Sequence, residues 1–105
     1  MADKVILRKG NLFFECPAQD CGLVRVPVVD GQEHKWTWNG SLDKPTLQPS
    51  VKITWDFGEP PKFNCCHFMV IEGVIHFQND CTHELNNQVV PMLDITEEFK
   101  QYLGD

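Results

Sequence analysis

The chain has 105 residues, 42% of them hydrophobic, and a formal net charge of −6 from fifteen acidic and nine basic residues. That composition excludes wholesale disorder, and the length suits one domain, residues 1–105, with a modest core. Acidity without a cluster of Lys and Arg argues against a nucleic-acid partner, and no apolar run reaches membrane-spanning length.

The N-terminal stretch "MADKVILRKG" has no small-residue cleavage site and does not read as a signal peptide. The expectation is a cytoplasmic protein whose thiols stay reduced. Five cysteines, an odd number, cannot all pair internally.

In chain order the pattern is a string of short strands closed by one helix. "KVILR" and "NLFFEC" flank a turn at Lys9-Gly10. "LVRVPVV" runs to Asp30-Gly31, and "HKWTWNG" alternates, with Trp36 and Trp38 on one face and expected in the core. "TLQPSVKITW" reads as a strand interrupted at Pro49, which has no N–H to donate and implies an edge or a bulge. Before it, "DKPTLQPS" reads as a structural turn in which Asp43 and Thr46 bond local backbone.

"CHFMVIE" and "VIHFQND" form a hairpin about Glu72-Gly73. In "DITEEFKQYLGD", Asp94 caps a helix with Glu97 three residues on. Ile95, Phe99 and Leu103 make its apolar stripe, and Gly104 ends it. The predicted fold is mainly β, a small antiparallel sandwich or partly closed roll with one C-terminal helix packed on it.

The hairpin register sorts side chains by face. With Glu72 and Gly73 as the loop, Val70 pairs with Ile75, Phe68 with Phe77 and Cys66 with Asn79. One face then carries Cys66, Phe68, Val70, Ile75, Phe77, Cys81 and His83. The other carries Cys65, His67, Met69, Ile71, Val74, His76 and Asp80. The first face holds both phenylalanines and is the core face, with Cys66, Cys81 and His83 just past its end. A one-residue slip would put Cys65 and His67 there instead.

Thiols and imidazoles gathered where an apolar layer runs out suit Zn²⁺. Cys16 and Cys21, spaced C-x4-C in "CPAQDCG", add a second pair. The candidate ligands are Cys16, Cys21, Cys66, Cys81 and His83, with His67 the alternative to His83. Cys65 reads as a packing residue, since free Cys is often buried as a small hydrophobe. His34 and His76 read as surface residues.

The segments "HKWTWNGSLDKPTLQPSV" and "CHFMVIEGVIHFQNDCTHELNNQVV" resemble a family of small uncharacterised proteins of tailed bacteriophages and prophages. The shared motifs are W-x-W-N-G, D-x-P-T-L-x-P-S, C-H-[FS], an E-G or D-G turn and D-C-T-H-x-L-x-x-Q. They span roughly residues 12 to 92. Asn86-Asn87 stand where members often have A-G. The resemblance implies a phage or prophage origin in a bacterial host and supports the metal site. Related domains also lie beside bacterial ubiquitin-like conjugation genes.

Three functions follow as expectations. The first is a zinc-stabilised phage accessory protein that acts by binding a host or phage protein, without catalysis. The second is a zinc hydrolase or deaminase-like enzyme, with Cys66, Cys81 and His83 on the metal and Glu84 or Asp80 moving protons. The third is a structural virion component.

Overall fold

The computed structural model describes residues 3–18, 22–28 and 36–104. It contains two antiparallel sheets and one short helix. The first sheet has the order β1 (Ile6–Arg8), β2 (Asn11–Glu15), β3 (Leu23–Pro27). The second has the order β4 (Thr37–Trp38), β5 (Leu47–Phe57), β6 (Lys62–Ile71), β7 (Val74–Phe77), β8 (Val89–Pro91). Helix α1 spans Glu97–Leu103.

The mainly β expectation holds, as layers sharing one core. Leu12, Phe14, Val24 and Val26 from the first sheet meet Leu47, Val51, Phe68, Val70, Ile75 and Phe77 from the second. Phe68 sits at the centre, edge-on to Phe14 across the layers (ring centroids 6.1 Å apart) and to Phe77 within its own sheet (5.9 Å). Such edge-to-face pairs add to the burial of apolar area.

Two tight turns are read correctly from sequence. Lys9 and Gly10 take φ of 50° and 80°, and Glu72 and Gly73 take 50° and 78°, the left-handed pair a two-residue hairpin needs. The β6–β7 register is Ile71↔Val74, Val70↔Ile75, Met69↔His76 and Phe68↔Phe77. The predicted core face follows: Cys66, Phe68, Val70, Ile75, Phe77, Cys81 and His83 are all buried. The pairing ends at Phe77 and does not reach Cys66 and Asn79. Beyond it, Gln78 N–H donates to the His67 carbonyl at 2.8 Å and Thr82 N–H to the Cys65 carbonyl at 3.0 Å.

Other expectations shift. Trp36 and Trp38 are only partly buried, packed against the core rather than within it. Thr46 does not bond local backbone; its hydroxyl accepts from Glu72 N–H at 2.9 Å and ties the D-K-P-T-L turn to the hairpin. The helix begins later than predicted. Thr96 is its cap, accepting from Phe99 N–H at 3.1 Å, while Asp94 pairs with Lys4. Of the predicted apolar stripe only Phe99 is buried. Strand β8 carries no clear alternation in its three residues, and the sequence reading passes over it.

The D-K-P-T-L turn and the β6–β7 turn press on one another. Gly73 N–H donates to the Pro45 carbonyl at 2.9 Å. A Cβ at Gly73 would lie 3.2 Å from the Asp43 carbonyl oxygen and 3.3 Å from Lys44 Cα. Gly73→Ala is therefore expected to cost about 1–3 kcal/mol, from the positive φ and the crowding together. A fall in the urea midpoint with unchanged slope would show it; an unchanged midpoint would refute it.

A candidate catalytic triad on the outer sheet face

Strand alternation on β6 sends Cys66 and Phe68 inward and His67 outward. Cys66 and Phe68 are fully buried, whereas the His67 side chain is 24% exposed. On the neighbouring strand, Lys52 pairs with His67 and Val51 with Phe68. The register shifts between Leu47, which pairs with Val70, and Val51. Gln48, Pro49 and Ser50 thus stand opposite Met69 alone. Such a bulge bends a strand and re-aims its side chains, and it tolerates a proline. The residue it turns toward His67 is Ser50.

Ser50 Oγ lies 2.9 Å from His67 Nε2. On the other side of the ring, His67 Nδ1 lies 3.0 and 3.1 Å from the two carboxylate oxygens of Asp80. A carboxylate only accepts, so Nδ1 carries the proton and Nε2 of the neutral ring accepts from the Ser50 hydroxyl. Asp80 comes from the turn after β7, held by the bond from Gln78 N–H to the His67 carbonyl. Three elements therefore place a nucleophile, a base and an orienting carboxylate in one line, the arrangement of serine hydrolases.

Supporting contacts fix each member. Trp36 Nε1–H donates to the Ser50 carbonyl at 3.2 Å. Lys52 Nζ lies 3.6 Å from Asp80 Oδ2. Cys81 braces the backbone of His67: its sulfur accepts from His67 N–H at 3.3 Å, and its thiol donates to the His67 carbonyl at 3.2 Å. Partial burial works to raise the Asp80 pKa. The hydrogen bond and charge of His67, with Lys52 nearby, outweigh it and hold the carboxyl below its ordinary range.

The cysteines are poorer candidates for the nucleophile. Burial pushes the Cys16 thiol up to about 11 and raises that of Cys65, so both are protonated near neutral pH and weak nucleophiles. The triad lies on the outer face of the second sheet. Clefts of about 480 and 500 Å³ open elsewhere, one beside α1 and one lined by Arg8, Phe13 and Arg25.

The proposed metal ligands are only partly brought together. Cys16 Sγ and Cys66 Sγ are 3.8 Å apart. Cys66 is disulfide-bonded, and Cys16, Cys65 and Cys81 are free thiols. His83 is buried edge-on to Phe77, with ring centroids 4.8 Å apart, and its Nδ1 accepts from Leu85 N–H at 3.2 Å. Cys21 and His34 lie outside the described residues. Among the described residues no three metal-capable side chains form a group able to hold an ion. His67, the alternative ligand, has both ring nitrogens engaged by Ser50 and Asp80.

The sequence reading finds no nucleophile constellation, because Ser50 lies in a segment taken for a structural turn. The available signal was the outer face itself, which already carries His67 and Asp80. Pairing β5 with β6 across the Pro49 bulge adds the serine.

Two expectations follow. Ser50→Ala should abolish labelling by a fluorophosphonate probe, and Asp80→Asn should slow it by a factor on the order of 10³–10⁴, by loss of the correct tautomer; wild-type levels in either variant would refute the triad. The depressed Asp80 pKa also makes its contribution to stability present above the unfolded-state value and lost as pH falls through the folded one. The difference in urea midpoint between wild type and Asp80→Asn should therefore persist at neutral pH and vanish in strong acid. A constant difference would show that Asp80 is not held by His67.

No curated protein and no solved structure matches the chain. The family model described as the bacterial ubiquitination-like system serine protease, BubE, matches residues 2–78. The match includes Ser50 and His67 and ends two positions before Asp80. It overturns the expectation of a non-catalytic accessory protein, since the family is one of serine proteases. The chain belongs to the BubE family of bacterial ubiquitination-like system serine proteases.

Proposed function

We propose that this chain is a serine protease that cuts a polypeptide of a bacterial ubiquitination-like system, with Ser50 as nucleophile, His67 as general base and acid, and Asp80 as the residue that orients His67. The observation that carries the reading is His67, bonded to Ser50 through Nε2 and to Asp80 through Nδ1. The substrate class comes from the family description.

The chemistry follows from that geometry. Ser50 Oγ attacks the scissile carbonyl carbon as its proton passes to His67 Nε2. The resulting imidazolium is stabilised by the Asp80 carboxylate across the Nδ1–H bond. The tetrahedral intermediate collapses, the C–N bond breaks, and the amine leaves with the proton from Nε2. Water, giving a proton to the same nitrogen, then attacks the acyl–Ser50 ester; the bond from the acyl carbon to Ser50 Oγ breaks, Nε2 returns the proton to Oγ, and the acid is freed. A carboxyl held below its ordinary range stays ionised throughout.

The reading is tested by incubating the purified chain with the ubiquitin-like protein of such a system, as precursor and as conjugate, and following intact masses. Wild type should release a fragment at one peptide or isopeptide bond, and a Ser50→Ala variant should release none. Cleavage that persists in Ser50→Ala, or wild type inert to both substrates, would overturn it.

A further inference from the structure

Strand β4 pairs with β5 only at Leu47 and Gln48. From Val51 to Phe57, β5 pairs with β6 on one side. Among the described residues no strand pairs with that run on the other side. It is an open edge of the second sheet, and it begins next to the nucleophile, Ser50.

The bonding on β6 shows which backbone groups this edge presents. Along a strand, alternate residues turn their N–H and C=O to the same side. His67 and Cys65 turn theirs away from β5. Their carbonyls accept from Gln78 N–H and Thr82 N–H, and their N–H groups donate to Cys81 Sγ and Thr82 Oγ1. Asn64, Cys66 and Phe68 therefore face β5, and their partners Trp55, Ile53 and Val51 face them in return. Lys52, Thr54 and Asp56 are left with both backbone groups turned out along the open edge. Their side chains are exposed, and among the described residues nothing bonds to their N–H or C=O groups. At Ser50 the edge closes. The Ser50 carbonyl accepts from Trp36 Nε1–H at 3.2 Å, Pro49 has no N–H, and β4 takes over the edge at Gln48.

A row of unpaired N–H and C=O groups is a template for a further strand, and peptide recognition by strand addition exploits it. The position of this row favours the substrate as occupant, because the row ends at the nucleophile. We propose that the polypeptide substrate binds as an added strand on the open edge of β5, bonding the backbone of Lys52, Thr54 and Asp56, with its scissile bond brought to Ser50. This assignment rests on the protease reading and deepens it. Directly opposed residues share a face of a sheet. Substrate side chains opposite Ile53 and Trp55 adjoin apolar groups packed against the core. Those opposite Lys52, Thr54 and Asp56 lie on the polar outer face with the triad. The substrate class is thus a flexible, extended segment with apolar and polar residues in alternation, not a bond inside a folded helix or sheet.

The test is Thr54→Pro in the full chain. It removes an N–H that points to the open edge and leaves the ladder to β6 intact, the kind of position where an edge strand tolerates proline. Cleavage of the system's ubiquitin-like protein is followed by intact mass, and reactivity of Ser50 by fluorophosphonate labelling. The ratio of the cleavage rate to the labelling rate should fall about tenfold or more from its wild-type value, as expected for lost substrate bonding with the triad still assembled. An unchanged ratio would overturn the proposal. Wild type that neither cleaves nor labels would instead sink the protease reading itself. Should Thr54→Pro fail to fold, amide hydrogen exchange on Ser50→Ala decides. The amides of Lys52, Thr54 and Asp56 should exchange freely in the chain alone and become protected when the ubiquitin-like protein is added to saturation. Exchange there that is indifferent to the added protein would overturn the proposal. So would protection in the chain alone that grows with its concentration, which would make a second copy of the chain the occupant.

Discussion

The turn at Glu72 and Gly73 sets the phase of β6, and most of the molecule depends on that phase. A strand has two faces, and a slip of one residue exchanges them. With this register Phe68 and Val70 point into the core and His67 points out. With the other, an imidazole would be pressed against Phe14 while the phenyl ring of Phe68 faced water. The cost of burying the wrong set holds the catalytic residue in place. The D-K-P-T-L turn reinforces the phase, because it packs against Gly73 and bonds both turn residues.

The site divides labour between the two surfaces of one sheet. Outside lie Ser50, His67, Asp80 and Lys52, polar groups in partial contact with water. Inside lie Cys66, Phe68 and Phe77, which anchor the same strands. Rigid elements with a packed far side are a sound base for a constellation whose geometry must hold to a fraction of an ångström. The Pro49 bulge interrupts the ladder between β5 and β6. It is the point at which the backbone gives up ladder pairing with β6 and the nucleophile is aimed.

Much of this was legible in the sequence, for reasons that can be named. Glu72-Gly73 and Lys9-Gly10 announce their turns by residue type, and alternation then fixes which side chains are buried. The helix cap was misplaced because Asp94 and Thr96 both offer a capping oxygen, and only the tertiary pairing of Asp94 with Lys4 decides between them. The triad was not legible because its members carry no local signature. Ser50 sits in a proline-rich stretch that reads as a turn, and no spacing rule links it to His67. The cysteines and histidines drew attention to chemistry in the right segment while concealing its kind. His67 and Asp80 are conspicuous for their neighbours Cys66 and Cys81, yet they act on the opposite face.

Strands β5, β6 and β7 follow one another through two hairpins, and the loop after β7 completes the set. The three reacting groups therefore come from one unbroken run of chain, and closing that run is a local event of low sequence separation. The three-stranded sheet contributes no atom to the triad; it supplies the surface on which Phe68 is buried. Mutational damage should accordingly separate by region. Lesions in β1 to β3 act through the amount of folded protein, and lesions between Leu47 and Cys81 can silence the chemistry in a molecule that remains folded.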